Sequence, residues 1–440
     1  MSFLSRPRTR YPEWMLLIAF LLFAGSIATR LLLDRLLPPT TISAPRPAEL
    51  SDEQTILKWQ EALRQNPENS YAYTQLGLAL LQRVRETADP MLYNQAEQAL
   101  TEALQRDPQQ LDAMIGQGIL ALARHDFQAA LGWGEKAHAL SPHRAQALGV
   151  MVDALVELGR YEEAAQVLQQ MVNLRPDLPS YSRVSYLREL HGDTAGAIAA
   201  MQQAVQAGRP GTESMLWTQV QLGHLYFNSG DLARAEEAYR KALYLRPDYA
   251  YALAGAARVQ AARGDHQEAI VAYQQLADRL PLPEFVIALG ELYEVTGKST
   301  EAERQYDLVR AIQQINGSAG MAVDMELALF DADHGENPEE ALQRARRAYR
   351  ERPSLYAADA LAWTLYHAGH VDEARQVSQE VLRLGTRDAA LLYRAGVIAH
   401  AAGEPDVARD YLQQALQINP FFSLLYAPRA QALLDQLAVR

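Results

Sequence analysis

The sequence predicts an all-α solenoid of about ten helical hairpins, and three periodic marks along its 440 residues carry that prediction. Alanine recurs as Ala96, Ala130, Ala164, Ala197, Ala235, Ala269, Ala302, Ala341, Ala374 and Ala408, at intervals of 33 to 39 residues. Glycine stands five residues before seven of these, from Gly159 to Gly403, and Gly335 stands six before Ala341. Proline stands twelve residues after seven of the ten, at Pro108, Pro142, Pro176, Pro247, Pro281, Pro353 and Pro420. A period near 34 is that of a helix pair stacked on copies of itself.

Each mark has a physical reading. Glycine tolerates a left-handed backbone and ends a first helix. Alanine lies early in a second helix, where a methyl group lets two helix backbones approach closely. Proline has no amide hydrogen to donate and stops the second helix before the next repeat. The stretch from Tyr226 through Gly230, Asp231, Ala235, Ala238 and Ala242 to Arg246-Pro247 resembles the tetratricopeptide repeat family, and ten registered copies cover nearly everything after residue 50. The resemblance implies a right-handed superhelix whose first helices line a concave, polypeptide-binding face.

From the N-terminus, residues 1–13 form a basic segment with Arg6, Arg8 and Arg10. Residues 14–36 are expected to be one transmembrane helix: Trp14 to Leu33 is apolar except for Ser26, Thr29 and Arg30, and about 20 residues of helix span a bilayer core. The basic flank favours a cytoplasmic N-terminus and an extracytoplasmic repeat domain, a vote opposed by Arg30, Arg35 and Arg46. The alternatives are a cytoplasmic repeat domain, or secretion after cleavage at Ser26-Ile27-Ala28. Residues 37–50 are a Pro-rich linker. The solenoid is expected over 51–440, opened by a helix that Ser51 caps and closed by a capping helix over 423–440. Arg85 to Pro90 should project as a polar loop. Gly208-Arg209-Pro210-Gly211 and Asn316-Gly317-Ser318-Ala319-Gly320 are breaker-rich, so the stacking is expected to change or flex near 208–213 and 315–321.

Of the 41 basic and 53 acidic residues, six and three lie in the first 50, which leaves the remainder at −15. Such a charge argues against nucleic acid as a partner. There is no cysteine, which excludes disulfides, thiol catalysis and thiolate zinc sites.

Chemistry-bearing motifs are missing from the sequence. No phosphate-binding glycine loop and no Gly-x-Ser-x-Gly elbow occur, so neither enzyme activity nor a cofactor is expected. His367 and His370 flank one turn, and Asp331, Asp333, His334 and Glu336 read as a solvated turn whose calcium-loop pattern fails at Glu336. Carboxylate pairs such as Glu236-Glu237 suit the positive ends of second helices. One branch of the family clamps acidic peptide tails with Lys, Arg and Asn. The comparable positions here, among them Asp153, Tyr186, His224, Arg258, Glu291 and Trp363, include no asparagine, so that clamp is not expected.

Partner-binding residues are expected where aromatics and arginine crowd the inner face: Tyr356, Trp363, Tyr366, His367, Tyr393 and Arg394, with Trp217, His224 and Phe227 as a second group. Membrane-anchored repeat proteins of bacteria, including some that assist envelope-protein biogenesis, look like this in outline. The expected role is therefore a membrane-anchored scaffold for protein partners. The alternative is a non-catalytic accessory subunit of a membrane-associated enzyme.

Overall fold

The computed structural model describes residues 52–335 and 337–438. The basic segment, the transmembrane helix, the linker and the Ser51 cap expected at 1–51 lie outside the described residues. Among those described, 22 helices and no strand occur, and no helix is long and apolar enough to cross a membrane.

An opening helix, α1 (Asp52–Gln65), precedes ten hairpins. These are α2 (Ser70–Thr87) with α3 (Leu92–Arg106), α4 (Leu111–Ala123) with α5 (Phe127–Leu140), and α6 (Ala145–Glu157) with α7 (Tyr161–Leu174). Next come α8 (Leu178–Leu190) with α9 (Thr194–Ala207), α10 (Glu213–Asn228) with α11 (Leu232–Leu245), and α12 (Ala250–Arg263) with α13 (His266–Arg279). The last four are α14 (Pro283–Val295) with α15 (Ser299–Ser318), α16 (Asp324–His334) with α17 (Pro338–Glu351), α18 (Leu355–His367) with α19 (Val371–Val381), and α20 (Ala389–Ala401) with α21 (Pro405–Ile418). The closing helix is α22 (Tyr426–Ala438).

Nine of the ten column alanines are 0% exposed and Ala302 is 3% exposed, so each second helix meets its neighbours where only a methyl group fits. Inserting methylenes there forces the helices apart, which costs about 1–3 kcal/mol per site. Ala235→Leu with Ala269→Leu is therefore expected to lower stability by roughly 2–6 kcal/mol in urea unfolding. A double variant that unfolds like the parent would refute the packing argument.

The hairpin turns follow the glycine mark. Gly159, Gly192, Gly230, Gly264, Gly297, Gly369 and Gly403 all take positive φ, and the next residue often caps the second helix, as Asp193 and Asp231 do. Two departures are informative. In the second repeat the left-handed position is held by His125, at φ 62. Gly335 is not left-handed at all, with φ −99.

Two local expectations need correction. The segment at Arg85 does not project: α2 continues to Thr87, Ala88 packs beside the α12–α15 core, and the Tyr251 hydroxyl lies 3.4 Å from the Arg85 carbonyl. Asp331, Asp333 and His334 are not a solvated turn, because α16 runs through them and the His334 ring stacks on Tyr306 at 4.2 Å. Helix α15 passes residue 315 and ends at Ser318. After it α16 makes little contact with α15 and packs on α17 and α18, whereas α9 and α10 pack across 208–213 much as other adjoining helices do.

Successive superhelical turns touch. The Tyr161 hydroxyl accepts a hydrogen bond from the Leu355 amide (2.8 Å) across a sequence separation of 194. Asn419 donates to the Phe227 carbonyl (3.0 Å) across 192, and the Ala322 amide donates to the Arg124 carbonyl (2.9 Å). A nitrogen of the His125 ring lies 3.0 Å from the Ala322 carbonyl, across 197 residues. Separations of this size amount to between five and six repeats, so hairpin turns of one superhelical turn rest on the ends of second helices in the next. One apolar cluster accordingly joins Tyr161, Leu190 and Val156 to Leu355, Ala358 and Val381.

Candidate functional site

The coiling brings first helices from both turns around an interior lined with polar groups. One cavity within it, about 460 Å³, lies along α10, α12 and α14 and is bordered by α16, α20 and the segment from Phe421 to Tyr426. A second one of about 410 Å³ lies among Asp153, Glu157, Tyr186, Glu326, Arg352 and Tyr356.

The larger cavity is built on close packing beneath it. Tyr239 of α11 is fully buried between Gly223 and Gly255, where a Cβ would come within 2.3 Å and 2.4 Å of its ring. Its hydroxyl meets Nδ1 of His224 at 2.8 Å. Burial, with help from Arg258, holds His224 down at about 3, so the imidazole is neutral at physiological pH. The Arg258 guanidinium lies 3.9 Å from the centroid of the Phe227 ring, a cation–π stack.

Opposite stands a set of carboxylates. Asp333 Oδ1 accepts from Trp363 Nε1 (2.7 Å) and from the Tyr426 hydroxyl (2.5 Å). Glu291 keeps 23% of its side chain accessible and has His334 Nε2 as a neighbour at 3.9 Å. Burial pushes its carboxyl up to about 8; Asp333 and Glu294 add to this and Arg258 opposes it. Around the second cavity, burial lifts Glu157 to about 6, and Glu189 of α8 rises to about 7 through burial and the nearby Asp388.

The pH dependence of stability follows. Glu291 retains its proton in the fold up to about 8, whereas its ordinary value is 4.5. The stability it contributes is complete below pH 4.5 and is lost as pH rises through 8. Glutamine mimics the protonated form, so Glu291→Gln should match the parent at pH 5 and exceed it at pH 8.5 by roughly 2–4 kcal/mol. Equal loss of stability in both proteins across that range, by denaturant titration, would contradict the assignment.

The expected partner-binding residues divide. Trp363, Tyr393 and Phe227 are only 3%, 5% and 1% exposed and belong to the wall rather than its surface. The closing segment covers the C-terminal aromatics: Tyr426 stacks on Tyr393 at 5.1 Å and meets Trp363 edge-on at 6.3 Å. Tyr366 is half-buried beside Trp363, and His367 is exposed. Arg394 borders the larger cavity but is committed to Asp359, with Nη2 to Oδ2 at 2.6 Å. Tyr356 lines the second cavity, His224 lines the first, and Trp217 is 41% exposed.

Sequence reasoning missed Glu291, Arg258 and Asp333 as cavity residues. Glu291 and Arg258 were legible as inner positions of first helices, and Asp333 was hidden because α16 was expected to end before it. Among the described residues no group of three or more His, Asp or Glu could hold a metal ion.

Fold and interior together define a class, an all-α helical-hairpin repeat protein with a polar inner face. Models of the tetratricopeptide repeat match residues 92–145, 121–188, 218–249, 251–282 and 360–421. The chain belongs to the tetratricopeptide repeat family. It is 27% identical over 227 residues to the human protein O-mannosyl-transferase TMTC1, covering 50% of this chain and 25% of that protein. It is 30% identical over 209 residues to cellulose synthase 1 operon protein C of Komagataeibacter xylinus, covering 45% and 15%. The matches thus span a quarter or less of these relatives' lengths. Among solved structures, yeast Tom70 aligns with TM-score 0.36 at 13% identity over 82% of this chain and 96% of that one. YrrB, described as a TPR protein with an unusual peptide-binding site, aligns with TM-score 0.27 at 21% identity over 44% and 95%.

Proposed function

We propose that the chain is a scaffold that binds polypeptide partners through its inner face. The observation that carries this is the larger cavity, where the ionisable groups of Glu291 and Arg258, on successive first helices, face the interior without pairing with each other. Ionised groups in a closed wall are paired, as Arg394 is with Asp359, whereas Arg258 meets no carboxylate among the described residues and Glu291 keeps its proton until a cation arrives. Tethering to a membrane through residues 14–36, with the repeats outside the cytoplasm, completes the proposal, as does a part in assembling envelope proteins. Cross-linking in intact membranes, followed by mass spectrometry of what is attached and of the N-terminus, tests all three. A mixed set of client proteins supports the scaffold, and recovery of uncross-linked chain alone opposes it.

The names of two relatives, a transferase and a product of a synthase operon, favour a second reading as a non-catalytic accessory subunit. Co-purification with one enzyme in fixed ratio would select it.

A further inference from the structure

We infer that the larger cavity seats a basic side chain of a partner polypeptide, its cationic head against Glu291 and an adjoining main-chain carbonyl on Arg258. The inference rests on the scaffold reading and adds the chemistry of what is recognised.

Size comes first. At about 460 Å³ the cavity falls within the range of ligand sites, roughly 300–1,000 Å³, and holds a long side chain with its flanking backbone. Its walls are aromatic: Tyr251 and Phe285 on one side, Phe421, Phe422 and Tyr426 on the other. Such walls receive the methylene stem of lysine or arginine and attract its charged end.

Charge comes second. Glu291 forms no hydrogen bond to another described residue, and its nearby imidazole, His334, is itself held low by burial and so brings no positive charge at neutral pH. Glu284, on the preceding turns of α14, also lines the cavity and takes part in no ion pair among the described residues. A partly desolvated carboxyl that keeps its proton up to about 8 when alone releases it as a cation comes into hydrogen-bond contact, and the pair so formed is charge-assisted.

Arg258 decides between a free cation and a side chain. Its guanidinium stacks on Phe227, and its N–H edge pairs with no carboxylate among the described residues. A bare ammonium or guanidinium entering the cavity would satisfy Glu291 but bring no acceptor to the N–H edge of Arg258. An extended polypeptide carries a carbonyl acceptor within one residue of every side chain, so it satisfies both groups at once.

The test offers the immobilised full chain a positional-scanning library of end-blocked nonapeptides at pH 8. Arginine or lysine should be enriched at one position at least tenfold over glutamine on the parent, and less than threefold on Glu291→Gln. Arg258→Gln should retain less peptide overall while keeping the basic preference. Far-ultraviolet circular dichroism confirms that both variants are folded. Binding without a basic preference, or with the same preference on Glu291→Gln, overturns this inference and leaves the scaffold reading standing. Competition by methylguanidine at the molar level of the peptide overturns the polypeptide assignment. If the parent retains no peptide at all, both readings fall.

Discussion

Asp359→Ala is expected to cost the fold about 3–5 kcal/mol, because it leaves a buried guanidinium without its carboxylate. The Asp359 and Arg394 side chains are only 5% and 11% exposed and meet through two hydrogen bonds, Nε to Oδ1 at 3.0 Å and Nη2 to Oδ2 at 2.6 Å. Burial pushes the Asp359 carboxyl up to about 6, against the pull of Arg394. For Arg394 burial works against the charge, but Asp359 outweighs it and holds the guanidinium above its usual range. No other acid lies in ion-pair contact with Arg394 among the described residues, so truncation strands the charge in the wall of the cavity. Replacing both partners, by Asp359→Leu with Arg394→Met, should be far milder, since the desolvation cost disappears with the pair. Guanidinium unfolding at pH 7.5 measures both. A single-variant loss below about 1 kcal/mol would mean that water reaches the pair after all.

The second large effect separates turn geometry from the contact between superhelical turns. Gly159 and Gly369 have nearly the same left-handed backbone, with φ 70 and 82. Nothing lies within 4 Å of a Cβ built on Gly369, whereas one on Gly159 would sit 2.3 Å from the Pro353 carbonyl oxygen, and one on Gly192 would sit 2.2 Å from that of Gly385. Gly369→Ala should therefore lose only the cost of placing alanine in a left-handed turn, about 1–2 kcal/mol. Gly159→Ala should lose that and roughly 1–3 kcal/mol more, because a backbone carbonyl cannot move aside as a side-chain tip can. Small-angle scattering should show Gly159→Ala with Gly192→Ala to be more extended than the parent. Identical losses at the two sites and an unchanged radius would show that the turns do not rest on one another.

The particular residues explain how far the sequence could be read. Ala235 and Ala269 announced close packing because that packing is between neighbouring helices and repeats with the period. Gly230 and Gly264 announced hairpin turns for the same reason. Trp363 reads in the sequence as an inner-face aromatic, and only the fold shows Tyr426, 63 positions later, packed edge-on against it. His125 stands where the other hairpin turns have glycine, and its ring lies against the Ala322 carbonyl of the next superhelical turn.

From the residues alone came the repeat period, the hairpins, the methyl-tight contacts and the lack of catalytic motifs, since all of these arise from interactions within one repeat or between adjacent ones. Tertiary structure alone decided which charges are paired and which face an enclosed cavity. The joints between turns set single side chains such as Tyr161, Asn419 and His125 against backbone groups nearly 200 residues away, and those backbone groups leave no trace in residue identity.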